Sequence, residues 1–445
     1  MMDPTSKPNQ GAAPAAPAPT PAPITLWIGL DWADQKHFLV GRPTEGSAKF
    51  TKELSQKPEQ IDEFFLQLRQ QYPHGRIGLC VEQSRGPILS ALMKFDFIVI
   101  YPVNPRSLAQ FRRAFKVSGA KSDPSDGDLL ADLGFLHHDR LRALQPQDAL
   151  TRQLGLLNEH RRDLVQDRNG WLNRLGSTLK CYYPLALELV GENLDSPLAL
   201  DFLRRWPNLT ALQKAKAPTL RSFFYAHNSR SPELIDARLA ALAAAKPLTE
   251  DPGLIEPLQR RALAMVRQIA ALQKSIAEYD PTIAEVFAQH AKAALFDALP
   301  GAGAALAPRL AAAFGTLPDN WKSAQDLLNL SGVAPVTRQS GKQRTVHFRW
   351  VRPKFLHQTF VEFAKCSIGQ CGWAGLLYQH LLTEGKSPWM AIRIIAFKWI
   401  RILWRCWRDH TAYDEARYLR SLQKRGVKLY ESLYEKLPAA SQPTL

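Results

Sequence analysis

Near the start of the chain, three runs constrain the fold more than anything else in the sequence. They are "ITLWIGLDW" (24–32), "RIGLCVE" (76–82) and "DFIVIYPV" (96–103), each almost continuously apolar. Short apolar runs rich in β-branched and aromatic residues read as strands buried on both faces, in the middle of a sheet covered by helices. Between them, "PEQIDEFFLQLRQQY" sets Ile61, Phe64, Phe65 and Leu68 at helical spacing, and "GPILSALMKF" opens a second helix with Gly-Pro. "KHFLVGR" and "SAKFTKEL" follow the first run at hairpin spacing. The predicted order is three strands, then helix, strand, helix, strand, helix: a mixed α/β sheet.

Two of the buried runs end in a carboxylate, Asp31 and Glu82. Where strands are parallel in an open sheet, their carboxyl ends share one rim, and sites form there. "KSDPSDGDLLADL" (121–133) adds Asp123 and Asp126, three apart and so on one face of a helix's first turn. Four carboxylates at one rim repel each other unless cations offset them. Mg²⁺ prefers such hard oxygen ligands, and two metals about 4 Å apart can stabilise both the attacking and the leaving oxygen at a phosphodiester. Each acid also has a plainer use. Ser122 or Asp123 could N-cap the helix, Asp126 could answer its dipole, and Asp31 could be a turn residue. The coincidence of all four favours the metal. Asp34, Asp128 and Asp132 are read as solvated or as outer neighbours.

A formal net charge of +16 and a pI of about 9.7 call for a polyanionic partner, nucleic acid or an anionic membrane surface. No apolar run reaches the roughly 18 residues of a membrane span; "MAIRIIAFKWIRILWRCW" is interrupted by Arg and Lys. No secretory signal is expected. The five cysteines, at 80, 181, 366, 371 and 406, form no CxxC pair, so the expectation is reduced thiols and no zinc.

The expected organisation is a Pro/Ala-rich disordered tail over 1–23, the sheet domain over 24–146, a helical linker over 147–285, a helical C-terminal domain over 286–436 and a short tail over 437–445. In the linker, two long apolar stripes (about 150–179 and 253–279) read as an antiparallel hairpin, a dimerising coil or two bundle helices. Near 388–409 a last helix places Ile392, Ile395, Trp399, Ile402, Leu403 and Cys406 on one face.

"LSGVAPVTRQSGKQRTVHFRWVRPK" (330–354) holds Arg338, Lys342, Arg344, Arg349, Arg352 and Lys354, with no acid from Arg338 onward. Phosphate contacts are the evident use. His347, Phe348 and Trp350 are interleaved, to stack on bases or to pack inward. Ser340 precedes Gly341 on a predicted turn; a serine hydroxyl attacks only if its proton is taken and its target phosphate neutralised. No Ser-His-Asp elbow is present. "LPGAGAALA" (299–307) is a helix–helix turn whose glycine amides could approach a DNA backbone or could simply end a helix.

These motifs, in this order, resemble the DEDD-type transposases of a bacterial insertion-sequence family, described as bridge-RNA-guided recombinases. The resemblance runs from about residue 26 to about residue 410. It implies an N-terminal RuvC-like domain of RNase H-type fold whose four acids correspond to Asp31, Glu82, Asp123 and Asp126, binding Mg²⁺. It implies a C-terminal transposase domain, with "PGAG" near its start, whose nucleophile corresponds to Ser340. It further implies donor and target DNA paired to a noncoding RNA from the same element, a homodimer joined through a coiled-coil linker and assembling into a tetramer, and a cytoplasmic location. The chain departs from the family in its Pro/Ala tail, in a longer stretch at about 187–252, and in Asp34 and Gln35 preceding Lys36. Two other functions fit part of the pattern. A RuvC-like nuclease or Holliday-junction resolvase acting by water attack would need the acids but not Ser340. A non-catalytic RNA- or DNA-binding protein would need neither.

Overall fold

A computed structural model describes residues 22–46, 48–83, 86–115 and 123–426. Most of the expected 1–23 tail and all of the 437–445 tail lie outside them. The chain divides after Pro146 into two compact units.

The first unit follows the predicted order. It contains β1 (Ile24–Asp31), β2 (Lys36–Pro43), β3 (Phe50–Ser55), α1 (Pro58–Gln71), β4 (Arg76–Val81), α2 (Pro87–Leu92), β5 (Ile98–Pro102), α3 (Pro105–Phe115) and α4 (Asp123–His137). The sheet order is β3-β2-β1-β4-β5. β2 runs antiparallel to β1 and β3, while β4 runs parallel to β1 and β5. β1 is therefore central, and its alternation serves two cores. Leu26, Ile28 and Leu30 pack with Ile61, Phe65 and Leu68 of α1 and Ile88, Leu89 and Leu92 of α2. Trp27 faces the other way, with Cys80, Leu108 of α3, and Leu129 and Leu130 of α4.

α4 has no apolar stripe because small residues seat it. A Cβ on Gly29 would lie 1.9 Å from the Gly127 carbonyl oxygen and 2.4 Å from the Ala131 nitrogen. A Cβ on Gly134 would lie 2.4 Å from the Trp27 ring and 2.8 Å from Cys80 Sγ. Helix and strand backbones touch, which larger side chains would forbid.

The second unit begins with α5 (Ala149–Tyr182). The short helices α6 (Pro184–Val190), α7 (Pro197–Arg205), α8 (Leu209–Gln213), α9 (Ala217–Ala226) and α10 (Pro232–Ala244) follow, and then α11 (Pro252–Ala288). Of the readings offered for the two long stripes, the intrachain antiparallel hairpin is what forms. Leu175 and Leu179 of α5 share a core with Met265, Val266 and Ile269 of α11, while Leu154 shares another with Ile283 and Val286. The stretch at 187–252 closes the far end of this hairpin, with Phe202, Trp206, Phe223 and Phe224 in its core. α11 runs unbroken through 285/286.

Beyond it come α12 (Ala293–Asp297), α13 (Gly303–Phe314), α14 (Ala324–Leu330), β6 (Val336–Ser340), β7 (Gln343–His347), α15 (Lys354–Ser367), α16 (Gly372–Thr383), α17 (Pro388–Arg408) and α18 (Glu415–Lys424). The predicted face of α17 is buried except at Ile402, which is half-buried, and Trp399 packs against Phe363 and Trp373. The PGAG turn has a packing role. Gly301 has φ +81°, and a Cβ there would lie 2.8 Å from the Cys366 carbonyl oxygen. Its close approach is to the end of α15. Among the described residues no helix is long and apolar enough to cross a membrane, and all five cysteines are free thiols.

Candidate functional site

In the first unit, Asp31 closes β1 and Glu82 follows β4 by one residue. Leu30 pairs with Val81 in parallel register, so both carboxylates leave the sheet at one rim, on neighbouring strands. Alternation gives them one face. Trp27 and Gly29 lie under α4, so Asp31 is directed the same way; Cys80 lies under Gly134, so Glu82 is too. α4 runs antiparallel to β1, with Gly134 over Trp27 and Gly127 over Gly29. Its first turn, bearing Asp123 and Asp126, is thus carried towards Asp31. The backbone of Asp123 opens α4, but its side chain lies outside the described residues.

Asp126 is 2% exposed, and its Oδ1 accepts from Arg112 of α3, from Nε at 2.9 Å and from Nη2 at 2.6 Å. Among the described residues no three His, Cys, Asp or Glu side chains surround a point where a metal could sit. A buried carboxylate needs a cation near it, and the Arg112 guanidinium lies beside Asp126. The donor chemistry at the rim still suits a hard divalent ion, since Asp31 and Glu82 offer only oxygen. Burial pushes the Cys80 thiol up to about 12, so it adds no soft thiolate. Asp128 and Asp132 carry ion pairs. Lys49 Nζ lies 2.6 Å from Asp128 and 3.0 Å from Asp132, and Arg42 also pairs with Asp132. These bonds tie α4 to β2 and to the segment before β3. Asp34 is exposed.

In the second unit, β6 and β7 form a hairpin in which Ser340 pairs with Gln343 across a Gly341-Lys342 turn. Gly341 supplies φ +56°, the left-handed conformation that two-residue hairpin loops require. Ser340 is exposed, and among the described residues nothing hydrogen-bonds its Oγ. Arg338, Lys342, Arg344 and Lys354 are exposed around it or just beyond. Arg349 and Arg352 depart from the expectation of free phosphate contacts. Both are half-buried, Arg352 donates to the Arg349 carbonyl, and its stem fills the space over Gly332. Trp350 is 82% exposed, whereas Phe348 lies under the Arg393 guanidinium at 3.9 Å.

Three residues were missed by the sequence reading. Arg112 sits in "FRRAF" and shows its partner only once α3 and α4 meet. Trp389, 67% exposed at the start of α17, looks in sequence like one more apolar helical residue. His357 lies in α15, with Nδ1 3.0 Å from the Ser331 carbonyl oxygen. Burial, then the nearby Arg352 charge, lowers its pKa to about 4, so the ring is neutral at pH 7.

A family model described as a transposase, of the DEDD type named for IS110, matches residues 28–184. A second, described as "Transposase IS116/IS110/IS902 family", matches residues 293–379. A Streptomyces coelicolor protein described as a candidate mini-circle transposase for IS117 is 24% identical, over 88% of this chain and 96% of its own length. An uncharacterised 44.8 kDa protein of insertion element IS116 from Streptomyces clavuligerus is 25% identical over 88% and 96%. An uncharacterised 42 kDa protein of IS900 from Mycobacterium paratuberculosis is 25% identical over 88% and 98%. The first match covers the carboxylate rim and the second covers the serine hairpin, and on these grounds the chain belongs to the IS110/IS116/IS902 family of transposases.

Proposed function

We propose that this transposase cuts and rejoins DNA through a covalent serine–DNA intermediate, guided by an RNA from its own element. One observation carries the reading: a single family member combines a carboxylate rim at two parallel strand ends with an exposed serine set among cations and no acid. The strand order β3-β2-β1-β4-β5, half antiparallel and half parallel, supports a RuvC-like, RNase H-type first domain. The helical hairpin and the serine-bearing region then serve as linker and transposase domain.

In the proposed step Ser340 Oγ attacks a phosphorus. The Oγ–P bond forms as one P–O bond to deoxyribose breaks; the serine proton goes to a base, and the departing oxygen leaves as a hydroxyl. One phosphodiester replaces another, so a hydroxyl from a second strand can reverse the step and join new ends. Arg338, Lys342 and Arg344 offset phosphate charge. Asp31, Glu82, Asp123 and Asp126 would hold a divalent cation such as Mg²⁺, which when bound supplies Lewis-acid stabilisation. Base pairing to the guide RNA would read donor and target sequence, so the protein needs chiefly backbone contacts. Following the family, the working assembly is a dimer that pairs into a tetramer.

The test is a search for DNA attached to denatured protein, using the chain expressed with its flanking noncoding DNA and a target. Wild type should give an adduct. Ser340→Ala should give none, and Asp123→Asn should give none while still binding RNA. Cut DNA without adduct, and full cutting by Ser340→Ala, would make this a water-attack nuclease.

A further inference from the structure

The second unit contains a groove of about 1120 Å³ between the end of β7, one flank of α17, and α18. One wall carries Arg393, Lys398, Arg401 and Arg405, at intervals of five, three and four residues along α17; the other carries Arg417 and Arg425. Among the described residues Asp409 and Asp414 are the only acids in the lining, and Asp409 is already held by Arg405 and Arg408. Among the described residues no carboxylate pairs with Arg393, Lys398, Arg401, Arg417 or Arg425. Burial, reinforced by Arg352, pushes the Arg393 pKa down; burial, reinforced by Arg401, does the same to Lys398. Arg393 and Lys398 are half-buried, while Arg401, Arg417 and Arg425 are exposed, so the groove presents a concentrated positive field that favours a polyanion along it. Between the cations the lining is largely apolar, and Phe397 and Trp404 are partly exposed in it. Cations interleaved with aromatic side chains suit a nucleic-acid strand whose bases are unpaired.

Pro335, Val346, His347 and Phe348 line the groove at the base of the hairpin. Val336 pairs with His347 and Ser340 with Gln343, so Ser340 stands four residues farther along the same hairpin. At a rise of about 3.3 Å per residue, that is about 13 Å from the groove's lining at His347. We propose that this groove holds an unpaired stretch of the DNA strand cut at Ser340, with phosphates on Arg393, Lys398 and Arg401 and bases against Phe397 and Trp404. The choice of DNA rests on the reading of Ser340 as nucleophile. The chain's own 427–445 segment is the weaker occupant, because its two acidic and two basic side chains cannot offset the groove's charge.

The test uses the full chain and the double variant Lys398→Gln/Arg401→Gln. Fluorescent oligo-dT, oligo-U of equal length and a duplex are titrated by anisotropy across a range of salt. Oligo-dT binding should weaken roughly tenfold, and its log–log salt slope should become shallower by about 1.4, or two cations at about 0.7 each. Duplex binding should change far less, and the charge-preserving Lys398→Arg/Arg401→Lys should restore oligo-dT affinity. Unchanged oligo-dT affinity and slope would overturn the proposal. So would a loss confined to oligo-U, a failure of the charge-preserving variant to restore binding, or tighter oligo-dT binding by a chain ended at residue 426, which would make the tail the occupant. Ser340→Ala should bind oligo-dT like wild type. If wild type forms no adduct but the double variant still loses oligo-dT, the groove stands and the nucleophile assignment falls.

Discussion

Two groups set the chemistry of single residues in this chain: buried Asp126 with the Arg112 guanidinium beside it, and half-buried His357, whose ring burial keeps neutral at pH 7. Asp31 and Glu82 were legible because an apolar run that stops at a carboxylate marks a strand end. The salt bridge from Arg112 to Asp126 was not, since it joins two helices whose packing the sequence does not state. His357 was not legible either: a lone imidazole in a helix carries no pattern. Its structure does give a testable consequence. Burial, aided by Arg352, holds the folded pKa at about 4, whereas an unfolded histidine takes its proton near 6.5. Between these values the unfolded chain binds more protons, so stability rises with pH. The contribution is full above about pH 6.5 and is lost as pH falls towards 4. Denaturant unfolding at pH 7 and pH 5 should show a smaller loss for His357→Gln than for wild type. The comparison is needed because burial also lowers the pKa of His37 and His290.

At the scale of elements, α4 is the clearest case. The first turn was readable from its acids, but the seat of the helix on β1 depends on Gly29, Gly127 and Gly134, whose absence of side chains is what brings the acids to the rim. The same helix carries a prediction about charge. Removing Arg112 leaves Asp126 buried without that guanidinium, and breaking a buried pair in this way costs about 3–5 kcal/mol. Arg112→Ala should therefore unfold at lower denaturant, and MgCl₂ should recover more stability in the variant than in wild type. Equal effects of MgCl₂ on both would remove Asp126 from the cation site. The long stripes of α5 and α11 were also visible in sequence. Their partner was not, because an apolar stripe looks the same whether it meets its own chain or a second copy. The short helices α7, α8 and α10 announce themselves only by their caps, Ser196, Asn208 and Ser231.

At the scale of the whole molecule, the charge balance calls for a polyanionic partner, and the order of motifs points to the family. What sequence could not convey is where the long hairpin of the second unit puts its two cores. One lies at the start of α5 and the end of α11, the other at the end of α5 and the start of α11. Arg161 bridges to Asp280 beside the first of these cores, at 2.6 Å. With 34 residues at about 1.5 Å each, α5 is about 51 Å long. Removing two turns from the middle of α5 and two from the facing part of α11 should shorten the hairpin by about 10 Å and leave both cores folded, which small-angle scattering and thermal melts can check together. The pair of helices is then a ruler: it fixes how far apart two rigid bodies are held, and a residue count becomes a distance that whatever the chain grips must match.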